Sequence, residues 1–365
     1  MKIFLIVLII IHSLIHSLGF VKAFDLAKVS ELNQQITKLE GMLWLLATML
    51  FILVAVLLVL KKDRWWMTGL VAVILSQVLI TMSWSDAKFG TIPNILILLA
   101  IIVSIGGFFI EREFRQNVVR NFENNNALST EILSEADIAH LPAPVQKYIR
   151  YTGSVGRVKV KNFKAEFNGG IRFKRDEKYM SFSSTQYNFM DMPSRLFYIV
   201  AKKQGIPAIG LHLYQNEKAI FRIKLLGFFT VVDAAGRKMD QGETVTLLND
   251  MCFMAPAALI DKRIKWESID DLTVKAVYTN GNISISAMLF FNEKGELINF
   301  ISNDRFETDG KVYKNYPWST PASAYTNVNG YKLPSAAKLV YSRPDGEFTY
   351  GEFALKDIIY NLEKM

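Results

Sequence analysis

The sequence predicts an N-terminal α-helical bundle of about four transmembrane spans (1–110). A soluble α+β domain follows (129–365), mainly an antiparallel β barrel or half-barrel with a helical insert at about 240–260. Three observations carry this. Hydrophobic residues make up 51% of the 365-residue chain, and the excess lies before about residue 110. From residue 158 apolar and polar residues alternate with a period of two, the mark of half-buried strands. Within that stranded half one segment, 227–271, reads as helix.

Four apolar runs, 3–21, 42–60, 65–84 and 92–110, approach the ~20 residues needed to cross a ~30 Å hydrocarbon core. Trp65, Trp66 and Trp84 stand at run ends, where amphipathic rings favour the headgroup level. The first run fits either a retained span or a signal peptide cut near Val21-Lys22-Ala23. Charge sets the orientation. Lys2, Lys61, Lys62, Arg64, Arg112, Arg115 and Arg120 fall on one side, against Lys22, Lys28, Lys38 and Lys88 on the other. The positive-inside rule puts the N-terminus and the C-terminal domain in the cytoplasm. His12 and His16, four apart, share a helix face. They are either ligands for a metal or haem, or imidazoles bonded to a neighbouring span, and the second reading is preferred because no facing ligand is evident.

Residues 111–128 read as a juxtamembrane helix fraying into a linker at the asparagine run. Ser129-Thr130-Glu131 and 134–137 offer N-caps, and 145–151 is a short helix with Pro144 in its first turn. Ten or eleven strands follow. Asn168-Gly169-Gly170, Asn216-Glu217, Asn280-Gly281 and Asn329-Gly330 serve as turns. The absence of long helices between strands argues against a parallel sheet.

The helical insert begins MDQGE. Asp240 with Glu243 three residues later fits a capping box, and capping explains the spacing. The functional alternative is a carboxylate cluster of Asp233, Asp240 and Glu243 for acid–base work, extended by Asp250 and Asp261. His140 and His212 read as structural. The single cysteine, Cys252, excludes disulfides and thiolate zinc sites. P-loop, GxGxxG, HExxH, EF-hand and GxSxG patterns are absent, so the sequence implies no cofactor. The net charge of +8 drops to +5 beyond residue 110. It suits a solvated or membrane-facing surface, and no nucleic-acid signature accompanies it. Aromatic residues crowd the strands. A curved sheet of this size encloses more space than its side chains readily fill, so Phe228, Phe229, Trp266 and Trp318 are candidates for contact with a lipophilic small molecule.

The motifs LPAPVQKYIRYTG (141–153), LLGFFTVVDAAGRKMDQGE (225–243), APAALI (255–260), IKWESIDD (264–271), YPWSTPASAY (316–325) and GYKLPSAAKLVY (330–341) resemble a bacterial family carried only as a domain of unknown function, number 6544 or 6920. The resemblance spans about 130–362 and implies no catalytic residues. The β-rich shape is also similar to the open-barrel lipid and lipoprotein carriers of bacterial envelopes, an analogy of fold alone. Three functions are compatible with these readings. The protein is a membrane protein whose β domain binds a lipophilic ligand or the membrane surface, a membrane-anchored hydrolase using carboxylates at 233–243, or a scaffold or sensor.

Overall fold

The computed structural model describes residues 2–30, 32–125, 130–203 and 205–365. Asn126, at the end of the asparagine run, and the Ser129 cap lie outside them. The chain forms two compact units, Met1–Phe109 and Ile110–Met365.

The first unit is helical: α1 (Lys2–Ala23), α2 (Lys38–Val59), α3 (Trp65–Met82), the short α4 (Trp84–Ala87) and the start of α5 (Thr91–Asn124). Four of its helices are long and apolar enough to cross a membrane. Leu, Ile, Val and Phe dominate their outer faces, which is compatible with a hydrocarbon solvent. Their contact faces carry small and polar residues. A side chain at Gly19 would meet the Trp44 ring at 2.5 Å, so α1 and α2 pack only because that position is bare. His12 Nε2 lies 3.0 Å from Asn94 Oδ1. His16 donates from Nδ1 to the His12 carbonyl at 2.9 Å, leaving Nε2 to accept from the Ser76 hydroxyl at 2.7 Å. These two residues thus bond to α5 and α3.

In the second unit α6 (Glu135–Ile138) opens on a capping box between Ser134 and Asp137, and α7 (Ala143–Tyr151) carries Pro144 in its first turn. Strands β1 (Asn162–Ile171), β2 (Met180–Phe189), β3 (Ser194–Lys203), β4 (Ile206–Gln215), β5 (Lys218–Leu225) and β6 (Phe229–Ala235) follow. Next come α8 (Arg237–Met254) and a 3₁₀ turn, Pro256–Ile260. The chain closes with β7 (Ile264–Ser268), β8 (Thr273–Asn280), β9 (Ile283–Phe291), β10 (Leu297–Ser302), β11 (Phe306–Thr308), β12 (Tyr313–Asn315), β13 (Trp318–Ser319), β14 (Ala322–Val328), β15 (Tyr331–Arg343) and β16 (Gly346–Tyr360). The sixteen described strands exceed the ten or eleven expected, for two reasons. β11, β12 and β13 are too short to carry a readable period, and β6 and β7 lie inside the 227–271 segment read as helix, of which only α8 and the 3₁₀ turn are helical.

Fourteen strands form one antiparallel sheet, ordered β6-β5-β4-β3-β2-β1-β16-β15-β13-β10-β9-β8-β7, with β14 on β15. It curls into a half-barrel. Register shifts at Glu166/Phe167, Ile223/Lys224 and Leu339/Val340 mark irregularities of the kind that bend strands. The turns at Asn216-Glu217 and Asn329-Gly330 hold positive φ at both residues, as twist-matched hairpins require. Asn168-Gly169-Gly170 is not a turn. It lies inside β1, where a side chain at Gly169 would strike the Glu352 carbonyl at 1.9 Å. Here glycine serves close backbone approach rather than reversal.

The sheet is covered on both faces along β2–β4. On the outer face Ile110, Phe114, Val118 and Phe122 of α5, four apart and so on one stripe, pack on Tyr187, Leu196, Leu211 and Leu213. Asn121 donates to Gln215 Oε1 at 2.6 Å, and Arg222 pairs with Glu113 at 3.2 Å. The stretch read as a juxtamembrane helix fraying into a linker is helical to Asn124, and its residues from Ile110 on belong to the β unit. On the inner face lies α8.

Candidate functional site

Helix α8 is buried on nearly all sides although half its residues are polar. Its N-cap is Gly236, at φ +94° with no side-chain cap. The expected Asp240–Glu243 capping box is thus absent. Both carboxylates are committed elsewhere, because the helix starts four residues earlier than the acidic pattern suggests. Asp240 accepts the Ala219 backbone N–H at 2.7 Å and Lys218 Nζ at 3.2 Å, pinning the helix to the β4–β5 hairpin.

Glu243 looks the other way, into a cavity of 890 Å³ between the inner face of the sheet and α8. The walls are mainly apolar: Phe167, Phe197 and Ile199 from the sheet, Phe253 from α8, Leu339 and Phe353 from the last two strands. The volume lies within the ~300–1,000 Å³ of small-molecule pockets. One wall is polar. Arg195 donates from Nη1 to Glu243 at 3.1 Å, from Nε to Asp250 at 2.7 Å and from Nη2 to Gln186 at 3.2 Å. Gln186 and Asn188 also donate to Asp250. His212 Nδ1 stands 3.3 Å from Glu243 Oε1. The arrangement follows from two periods. Arg195 shares the inward parity of Phe197 and Ile199 on β3. Glu243 and Asp250, seven apart on α8, share a face.

The electrostatics are those of a closed network. Burial penalises the Glu243 charge, but His212, Arg195 and Arg305 together outweigh it and carry its pKa down to about 2. On His212 burial wins over Glu243, and the pKa falls. At neutral pH the carboxylate therefore faces a neutral imidazole, and the guanidiniums hold its charge. Burial raises Asp250 against the pull of Arg195. It also pushes the Cys252 thiol up, so the cysteine is inert.

A second guanidinium, Arg305, enters from the loop between β10 and β11. It lies 4.6 Å over the Trp318 ring, and its Nε donates to Thr246 Oγ1 at 3.1 Å.

Of the residues singled out from sequence, Glu243 and Trp318 line the cavity. Asp233 is exposed and pairs loosely with Arg222 at 3.8 Å. Asp240 is buried outside the cavity lining. Phe228 and Phe229 are exposed at the β5–β6 turn, and Trp266 packs on the outside of the core. Asp250, named as a possible extension of the carboxylate cluster, also lines the cavity, and Asp261 does not. Arg195, His212 and Arg305 joined the site unforeseen. For Arg195 and His212 the readable signal was a charged or polar residue on the apolar parity of a strand. Among the described residues no group of three or more His, Cys, Asp or Glu side chains is placed to hold a metal ion.

Residues 131–353 match the family of unknown function DUF6544, the first of the two numbers the motifs suggested. No curated protein matches the sequence. Among solved structures, a LolA superfamily protein from Nitrosomonas europaea aligns over 60% of this chain and 92% of its own, with 9% identity and a TM-score of 0.36.

Proposed function

Since this chain belongs to DUF6544, a family whose description assigns no activity, we propose a function from the cavity: the β unit binds a lipophilic small molecule, on a protein anchored in the bacterial cytoplasmic membrane. One observation carries the reading, an 890 Å³ cavity, mainly apolar, under a helix that is itself locked by buried ion pairs. A sheet packed solidly against α8 would have had no such space. Four apolar helices support the anchor. The bonds of His12 and His16 to neighbouring helices support α1 as a retained span. The charge bias favours a cytoplasmic β unit.

Extraction of the purified full chain followed by mass spectrometry tests the ligand. A lipophile recovered at about one per chain, above the lipid background of a span-only membrane protein, is expected; recovery at background contradicts it. Sidedness needs an introduced cysteine, because Cys252 is buried. A cysteine at exposed Lys265 should react with an impermeant maleimide only after cells are opened, and labelling of intact cells reverses the topology.

A second reading rests on the Glu243–His212 contact. A carboxylate on Nδ1 leaves Nε2 free to act as a base, the orientation used in hydrolytic triads. Turnover of acyl esters lost in His212→Gln would favour it, and no turnover by the wild-type chain removes it.

A further inference from the structure

The charges of this cavity are not partnered alike. Arg195 has two carboxylates, and its bonds to Glu243, Asp250 and Gln186 engage all three guanidinium nitrogens. Arg343 pairs with Glu307. Arg305 makes no ion pair among the described residues. Its Nε donates to Thr246 Oγ1, its Nη1 to the Tyr341 hydroxyl, and the Tyr350 hydroxyl is its other polar neighbour. All three are neutral oxygens. The guanidinium offers more N–H donors than its bonds to Thr246 and Tyr341 engage. Glu243 is the carboxylate that acts on it, at a distance. Both oxygens of Glu243 are taken, Oε2 by Arg195 and Oε1 by His212. Arg172, the other cavity arginine without a carboxylate, is met by the backbone carbonyls of Thr349 and Arg175.

Arg305 is half-buried in the cavity wall, and a partly desolvated guanidinium given only neutral acceptors is poorly compensated unless an anion completes it. Its planar fork matches an oxyanion in bidentate fashion. Trp318 and Tyr341 flank the group, which fixes its plane against the cavity wall. The apolar walls begin beside it and run along Phe197, Ile199, Phe353 and Leu339. We infer that the ligand is an anionic amphiphile whose carboxylate or phosphate head binds Arg305 while its hydrocarbon chain fills the apolar part of the cavity. This rests on the reading of the cavity as a lipophile site and names the ligand class.

The geometry assigns the neighbours distinct parts. Thr246 and Tyr341 orient the guanidinium and are positioning residues. The Arg195–Glu243–Asp250 network, already satisfied, holds α8 and takes no part in the head group. His212, neutral, adds no competing charge at the head.

The full chain in zwitterionic nanodiscs provides the test. Two photoreactive probes are compared, a diazirine-bearing stearic acid and the matching stearyl alcohol, and crosslinks to cavity peptides are quantified by mass spectrometry. The acid should label the cavity about tenfold more strongly than the alcohol. Arg305→Gln should bring the two to the same level by lowering the acid alone, and Arg305→Lys should keep part of the preference. Stearate or a lysophosphatidate should displace the acid probe, and a neutral monoacylglycerol should not. Equal labelling of the wild-type cavity by acid and alcohol overturns the inference, and this comparison needs no variant to fold. Displacement by inorganic phosphate as effective as by stearate also overturns it, since the occupant is then a free anion. Labelling by neither probe sinks the lipophile site itself, a separate outcome.

Discussion

The two faces of strands β2–β4 carry different side chains and are covered in opposite ways: Tyr187, Leu196, Leu211 and Leu213 turn outward, and Gln186, Arg195, Phe197 and His212 turn inward. On the outer face, Phe114, Val118 and Phe122 fill the space over Leu196, Leu211 and Leu213, and polar bonds are confined to the margin. On the inner face, α8 stands off the sheet, and a charged network occupies part of the gap. A helix tied down only by hydrophobic contact would settle until the gap closed, since interiors pack to near-crystalline density. Buried ion pairs resist that settling, because collapse would strip partners from charges already out of water. The polar network of α8 is thus a spacer. It holds a cavity open where the outer face is filled.

If so, breaking the network should cost more than trimming the filled face. Arg195→Met leaves Glu243 and Asp250 buried without their cation and should lose about 3–5 kcal/mol. Urea unfolding of the full chain, followed by tryptophan fluorescence, measures it. A loss below about 1 kcal/mol would mean that the carboxylates are solvated and the spacer idea is wrong.

Phe122→Ala on the outer face should cost about 3 kcal/mol through the void it leaves. It should leave ligand recovery unchanged. A parallel loss of ligand would show that the two faces are not independent.

The pH response separates the faces further. Burial holds His212 below its ordinary value, so the unfolded chain takes up that proton first. Its contribution to stability is complete above about pH 6.5 and falls as the pH drops below it. Glu243 is displaced downward to about 2, so its contribution is present above about pH 4.5 and is lost between there and about 2. Unfolding midpoints at pH 5 and 7.5 should differ in the wild type and converge in His212→Gln. An unchanged difference would assign the pH dependence elsewhere. The smallest effect is at the β5–β6 turn. Phe229 is 66% exposed. Phe229→Ser should shift stability by less than about 0.5 kcal/mol, and a larger loss would place that ring in a contact.

Much of the fold was legible because it rests on periodicity. The four apolar helices, the antiparallel strands and the helical insert all follow from apolar runs, repeats of 3.6 or 2 and turn residues. The site was less legible. Asp240 and Glu243 sit at capping spacing, and local chemistry accounted for them completely; only the position of the helix start, at Gly236, removes that account. Arg195 shares the parity of Phe197, but pairing it with Glu243 requires knowing that β3 lies under α8. Arg305 lies in a loop with no period at all. Phe228 and Phe229, read as candidates for contact with a lipophilic molecule, are exposed at a turn and lie outside the cavity lining.

The contrast between the faces can be read in one measurement. A neutral lipophilic diazirine is photoactivated with the full chain in nanodiscs, and labelled residues are mapped for the wild type and for Ala337→Trp, which places a large ring in the cavity. The account predicts labels at Phe197, Phe253 and Leu339, none at Phe114 or Leu196, and loss of the cavity labels alone in Ala337→Trp. Labels confined to the spanning helices and the exposed surface, or cavity labels that persist in Ala337→Trp, would contradict it.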